Sequence, residues 1–290
     1  MDKISSNKRY LIINADDFGM CHSVNQAIKK LLEDKVITSA SIMPVCPWFE
    51  EAAMYARQLC EADIGIHLTF TSEWYYYKWG PISNGKSLTE ERGYFPEDCY
   101  YFEENARNEE VITEIWAQIN KVKAAGIRFS NIDNHMGSLY GLMTGRSFLP
   151  VVFEICRELG MPFRFPKSFS EHRRKSVPKL QLEEFEKLRD LSLAKDILLI
   201  DYLVEYPYQL KSEENYKAYV DMIIALLRDL SPGISELYIH PSLDSKEIRA
   251  INPTWEKRVM EFRVFYEDRV QRVIEKEGIE LISWGDLKLK

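Results

Sequence analysis

Cysteine pairs at short spacing are missing. The five cysteines (Cys21, Cys46, Cys60, Cys99 and Cys156) are scattered, odd in number and never arranged as Cys-x-x-Cys. This speaks against a zinc knuckle or a disulfide framework, and they read as reduced thiols in a cytoplasmic protein. No apolar run approaches the roughly 20 residues of a membrane-spanning helix. The opening stretch Met1 to Arg9 is polar and mixed in charge, with no secretory signal visible. Clustered basic charge is scarce as well. A net charge of −7 argues against binding a phosphate backbone, and the one basic run, His172-Arg173-Arg174-Lys175, reads as a solvated loop. Nucleic acid and membrane are therefore not the expected partners. Internal repeats, low-complexity tracts and Ser/Gly-rich linkers are also lacking. The chain reads as one domain over residues 1–290, and its 46% apolar content is enough for a sizeable core.

What is present is an alternation of short apolar runs with longer amphipathic segments. Strands are predicted at Tyr10–Asn14, Ala40–Val45, Ile64–Thr69, Asn131–Asn134, Phe163–Phe165, Leu198–Val204, Glu236–Ile239 and Ile279–Ser283. Helices are predicted at Ser23–Asp34, Trp48–Glu61, Glu109–Ala125, Phe148–Leu159, Glu213–Leu230 and Trp255–Glu277. Gly126, and Gly160 with Pro162, are stop signals. Repeated strand–helix units imply parallel strands, and about eight of them suggest an α/β fold closed into a barrel; a doubly wound open sheet is the alternative. Two stretches interrupt the pattern. Residues 71–108 form an insertion rich in aromatics (Trp74, Tyr75, Tyr76, Tyr77, Trp79, Tyr94, Tyr100 and Tyr101), which could stack on sugar rings or form a local hydrophobic anchor. Lys167 to Asp196 is charged and carries an extra helix near Leu182–Leu191. Loops of this length are usually functional or disordered, and the aromatics speak against disorder in the first.

The polar residues fall where the strands end. Asp16 and Asp17 follow the first predicted strand, His67 sits near the end of the third, and Asp133, Asn134 and His135 end the next. Arg164 lies in the strand after that, and His240 ends Leu237-Tyr238-Ile239. In a parallel barrel these carboxyl ends share one rim. Histidine is scarce, five in all, and three of the five sit at such ends; His22 and His172 do not. Each piece alone has a plainer reading. An Asp pair after a strand is commonly a turn or helix cap, and a lone His between Ile66 and Leu68 is commonly a satisfied semi-buried residue. Together, two imidazoles and a carboxylate make a ligand set for Zn²⁺ or another divalent ion with an open position. On an extended segment adjacent aspartates point to opposite sides, so one is expected to ligate and the other to act as a base. Arg164 would hold that base ionised, and a protonated His240 could supply a proton to a leaving amine.

These segments resemble the YdjC/ChbG-like carbohydrate deacetylases, a branch of the polysaccharide deacetylase superfamily. The likeness runs through Asn14-Ala15-Asp16-Asp17-Phe18-Gly19, Ser23-Val24-Asn25-Gln26-Ala27-Ile28, Thr38-Ser39-Ala40-Ser41-Ile42-Met43, Gly65-Ile66-His67-Leu68, Ile132-Asp133-Asn134-His135, Arg164-Phe165-Pro166 and Ile239-His240-Pro241. It implies a distorted (β/α) TIM-like barrel and metal-dependent removal of an N-acetyl group from an amino sugar or oligosaccharide. Asp17, His67 and His135 would be the metal ligands, with Zn²⁺ expected first and Mg²⁺ second. Asp16 would be the catalytic base, Arg164 the residue that orients it, and His240 the acid. A homodimer is left open. Gly137 and Ser138 stand where many relatives carry further histidines. Two rival readings share these residues: a 2-His-1-carboxylate iron(II) oxygenase, and a sugar-binding barrel without catalysis.

Overall fold

The structure, a computed structural model, describes residues 7–59, 61–169, 179–204, 206–209 and 215–288. Cys60, the basic run at 172–175 and Glu213 at the head of one predicted helix lie outside them. The strands are β1 (Arg9–Phe18), β2 (Ser39–Ile42), β3 (Ile64–Leu68), β4 (Ile132–Asn134), β5 (Tyr202–Val204), β6 (Gly233–Ile239) and β7 (Ile279–Leu281). All their pairings are parallel, in the order β4-β3-β2-β1-β6-β5. Tyr10 to Ile13 of β1 are buried without alternation, as expected of a parallel strand covered on both faces.

The sheet curls into a distorted barrel. Between its end strands β4 and β5 runs the segment 163–166, which bridges Ile132 through Phe163 and Ile200 through Pro166. The Arg164 amide donates to Ile132 O and the Lys167 amide to Ile200 O. The predicted strand Phe163–Phe165 is realised only as these two isolated bridges. Pro162 and Pro166 flank it and lack the N–H groups that would extend a ladder. β7 is not an eighth stave. It pairs with Arg9–Leu11 on the same edge of β1 where β2 takes Asn14–Phe18.

The helices are α1 (His22–Glu33), α2 (Phe49–Gln58), α3 (Cys99–Asn105), α4 (Asn108–Ala124), α5 (Leu149–Leu159), α6 (Lys179–Ala194), α7 (Tyr216–Arg228), α8 (Lys246–Ile251), α9 (Trp255–Val264) and α10 (Asp268–Lys276). α1 buries Val24, Ala27, Ile28 and Leu31, one stripe at helical spacing. α5 stops at Gly160, whose φ of 63° closes the last turn in the left-handed conformation. The helix predicted over Trp255–Glu277 is broken at Phe265–Glu267. The buried stripe of its first half, Lys257, Arg258, Glu261 and Val264, would continue onto Asp268, Arg272 and Glu275. The kink re-phases the chain so that Val270, Val273 and Ile274 face inward instead. The insertion contributes α3, a short helix that the aromatic stretch hid from sequence reading. It is pinned by α4: the Glu114 carboxylate accepts from the amides of Ile82 and Ser83, and that of Glu110 from Ser87. No helix among the described residues is long and apolar enough to cross a membrane.

Candidate metal centre

Asp16 and Asp17 lie inside β1 rather than after it. Between Ala15 and Phe18 the β1–β2 register shifts, and Asp17 has φ 70°. Such a bulge re-aims side chains. The expectation that the two aspartates would point apart is therefore corrected: both reach the same imidazole nitrogen. His67 Nε2 is 3.5 Å from Asp17 Oδ1 and 3.9 Å from Asp16 Oδ2. A left-handed non-glycine residue costs roughly 1–2 kcal/mol, and the bulge holds it there.

His67 stands beside Asp133 in the β3–β4 register, and its Nδ1 lies 2.6 Å from Asp133 Oδ1. A carboxylate at Nδ1 fixes the proton there and leaves Nε2 as a lone pair. His135 follows β4 in a tight turn where Met136 has φ 54° and Gly137 φ 66°. Ser138 Oγ donates to the His135 carbonyl and Leu139 N to Asn134 Oδ1. Gly137 and Ser138 thus build the turn. A Cβ at Gly137 would press on Leu142 and Tyr140 at 3.3 Å. His135 Nδ1 faces Asp17 Oδ1 at 3.2 Å, while its Nε2 faces Glu73 at 3.1 Å. The two imidazoles therefore turn opposite nitrogens to the same carboxylate oxygen.

The ligand atoms of Asp17, His67 and His135 all lie within 4.8 Å of one another, and all three residues are buried. Asp17 Oδ1 is buried without a hydrogen-bond partner, an expensive state unless something compensates it. Ligands at 2.0–2.2 Å on a tetrahedral zinc ion are separated by roughly 3.3–3.5 Å, close to the 3.2 and 3.5 Å found here. The donor set thus fits a divalent ion. A second group, Asp16, His67 and Asp133, is also close enough, but Arg164 already occupies both of its carboxylates.

Charge around the centre is tightly arranged. Arg164 makes a fork to Asp16, with Nη1 and Nη2 each 2.7 Å from one carboxylate oxygen, and its Nε donates to Glu236 at 3.0 Å. Asn14 adds a third hydrogen bond to Asp16 at 2.7 Å. Burial alone would raise the Asp16 carboxyl, but Arg164 and then His67 outweigh it and hold it at about 2. Burial likewise opposes ionisation of Asp17, and Arg258 and His135 overcome it to bring its carboxyl well below the usual range. Arg258, on α9, donates from Nη2 to Asp17 Oδ2 at 2.6 Å and is steadied by Tyr208 Oη at 2.9 Å. Burial works against a charged His135, yet Glu73 and Asp17 raise its imidazole to about 10. A site that draws a proton so strongly favours any cation.

His240, at the end of β6, packs edge-on against Tyr208 and Tyr238 at 4.9 and 5.6 Å. Its Nδ1 is buried without a hydrogen-bond partner. Burial pushes this imidazole below its ordinary value, although Asp17, Glu261 and Asp16 pull the other way. The field of both rim aspartates therefore reaches it. His22 is elsewhere, paired with Glu51 at 2.8 Å, and His172 lies outside the described residues.

Four contributors escaped sequence reading as site residues. Asp133 stood in the His135 segment without a role. Glu236 is a carboxylate inside an apolar strand, a sign that a buried cation must face it. Glu73 sits at the start of the aromatic insertion with nothing to mark it, and Arg258 is one of many arginines on helices.

A family model described as YdjC-like protein matches residues 10–276. A carbohydrate deacetylase of Thermus thermophilus is 31% identical over 273 residues, covering 92% of this chain and 90% of the relative. One from Enterococcus faecalis is 29% identical, covering 98% of this chain and 100% of the relative. Among solved structures, an Enterococcus faecalis protein provisionally described as a cellobiose-phosphate cleavage protein aligns with TM-score 0.75 and 26% identity, over 97% of this chain and 99% of that one.

Proposed function

Because the chain belongs to the YdjC-like family over residues 10–276, we propose that it is a metal-dependent hydrolase removing the N-acetyl group of an amino sugar or oligosaccharide. The observation that carries this reading is the convergence of buried Asp17, His67 and His135 on one point. The carbohydrate deacetylase names of the relatives support the reaction class. Two imidazole nitrogens among three ligands suit zinc better than magnesium, which prefers oxygen.

With an ion bound by these three residues, the centre would polarise a carbonyl oxygen and acidify a water. Asp133 and Glu73 hold the two imidazoles with the ligating nitrogen free. Arg258 holds Asp17 and leaves Oδ1 for the ion. Asp16, kept ionised by Arg164, accepts a proton from the water that attacks the acetyl carbon. As the C–N bond breaks, His240 delivers a proton to the departing nitrogen, so acetate and a free amine leave. Burial disfavours the charge on His240, so it takes up a proton from solvent before it acts as the acid, and Asp16 returns the water proton to solvent once acetate has left.

Acetate release from N-acetylated sugars, with zinc, magnesium, manganese or cobalt added in turn, tests this reading. Asp16→Asn should keep its metal and lose about 10²–10⁴ in turnover, whereas His67→Ala and His135→Ala should lose metal and turnover together. Full activity in Asp16→Asn would remove the assigned base. Oxygen consumption with bound iron would point to the oxygenase reading, and sugar binding without acetate release to a non-catalytic barrel.

A further inference from the structure

Among the described residues two arginines are buried, both at the candidate centre, and their nitrogens are used differently. Arg164 is fully engaged: Nε donates to Glu236, and Nη1 and Nη2 donate to Asp16. Arg258, 1% exposed, leaves Nη1 buried and without a hydrogen-bond partner among the described residues. A buried charged donor with no acceptor is costly, and native structures rarely keep one without a reason.

The planar guanidinium fixes where Nη1 points. Its side edge, Nε and Nη2, is taken by Tyr208 Oη at 3.2 and 2.9 Å. From its end edge only Nη2 donates, to Asp17 Oδ2 at 2.6 Å. The two end N–H bonds of a guanidinium run parallel, so the idle Nη1 proton points alongside Asp17, toward the same centre. Asp17 Oδ1 does not accept it; that oxygen faces His67 and His135 at 3.5 and 3.2 Å.

The helix that carries Arg258 is also fastened to the strand end that carries His240. On α9, Glu261 accepts from the His240 amide at 2.6 Å, and the Arg258 carbonyl accepts from the Ser242 amide at 3.1 Å. Tyr208, which clamps Arg258, packs edge-on against the His240 ring at 4.9 Å. The idle donor is therefore held beside a candidate ligand and close to the candidate acid.

Whatever meets Nη1 must be small. The nitrogen is hidden from solvent, and the Trp74 and Tyr208 rings pack against its guanidinium at 6.0 and 5.8 Å. It must also accept a hydrogen bond, and a cationic donor favours an anionic oxygen. The acetyl group is the part of the proposed substrate that has to enter the centre, and its carbonyl oxygen turns negative as water adds.

We propose that Arg258 is a catalytic residue that receives the acetyl oxygen through Nη1. As the water oxygen bonds to the acetyl carbon, the carbonyl π pair moves onto its oxygen. Nη1 donates a hydrogen bond to the charge that forms there. The pair returns to re-form C=O as the C–N bond breaks, and the same donor then faces an oxygen of acetate. Arg258 transfers no proton at any stage, because a guanidinium stays charged. The inference rests on the hydrolase reading above.

The test uses the full chain loaded with zinc, and sodium acetate as the probe, whose carboxylate places a negative oxygen on the acetyl carbon. Calorimetry should show acetate bound by the unmodified chain and bound about 10- to 100-fold more weakly by Arg258→Lys. The lysine keeps a positive charge beside Asp17 but lacks the parallel second donor. A variant that holds zinc and binds acetate as tightly as its parent overturns the assignment. Should the variant shed zinc, a crystal of the unmodified zinc-loaded chain soaked in acetate decides. An acetate oxygen within about 3 Å of Nη1 supports the contact, and acetate turned away from Nη1, or absent, overturns it. Acetate release from N-acetylated sugars separates the two readings. In Arg258→Lys kcat should fall about 10²–10³-fold with KM little changed, the pattern of a lost oxyanion donor. Arg258-dependent acetate binding without any release sinks hydrolysis and leaves the contact standing, while release with a kcat indifferent to Arg258→Lys does the reverse.

Discussion

His67 Nδ1 lies 2.6 Å from Oδ1 of Asp133, its neighbour in the β3–β4 register. Parallel pairing places the two residues side by side, so the hydrogen bond is a product of strand register rather than of a loop. It decides which imidazole nitrogen is free.

Asp133→Asn should therefore weaken metal binding by about 10- to 100-fold, the usual effect of removing a carboxylate behind a ligating histidine. Competition with a chelator of known affinity measures it. Unchanged affinity in a folded variant would mean that His67 does not need Asp133 to set its tautomer.

Trp79 is an anchor. It is 3% exposed, donates Nε1 to the Thr71 carbonyl at 2.8 Å and packs edge-on against Trp74 at 5.5 Å. Trp79→Ala should destabilise the protein by about 3–5 kcal/mol, a drop of roughly 6–15 °C in melting temperature. A variant that melts like the parent but shows a raised KM would reassign this ring to substrate contact.

Glu236 gives a pH signature of stability. Burial raises its carboxyl from 4.5 to about 7 even though Arg164 pulls it down. Between those values the folded protein holds a proton that the unfolded chain releases, so stability falls as pH rises through the window. Glu236→Gln removes the titration. Its melting temperature should gain on that of the parent between about pH 4.5 and 7, followed by calorimetry. A constant difference across that range would show that Glu236 does not titrate there.

Much of this arrangement was legible in the chain, for a reason that can be stated. Parallel strands deliver their carboxyl ends to one rim, so a polar residue ending an apolar run is already positioned, and this is how Asp17, His67 and His135 come together. What periodicity does not encode is backbone departure from regularity. The bulge that turns Asp17 toward the same nitrogen as Asp16 leaves no signal in residue type. The phase slip at Phe265–Glu267 left no apolar signal either, since the stripe buried before it is Lys257, Arg258, Glu261 and Val264, three of them charged. Arg258 was beyond reach because its role depends on how α9 packs over the rim, a long-range outcome that no local pattern fixes. The same holds for Glu73, whose neighbour in space, His135, is 62 residues distant.

That last contact has a consequence for exchanging segments. Glu73 belongs to the insertion that also bears the exposed Tyr75 and Tyr76, so one stretch of chain carries both those rings and the partner of His135. A chimaera that exchanged 71–108 for the corresponding stretch of a relative would replace the partner of His135 together with the exposed tyrosines. The imidazole would then lose its acceptor at Nε2 unless the incoming stretch supplied a carboxylate of its own.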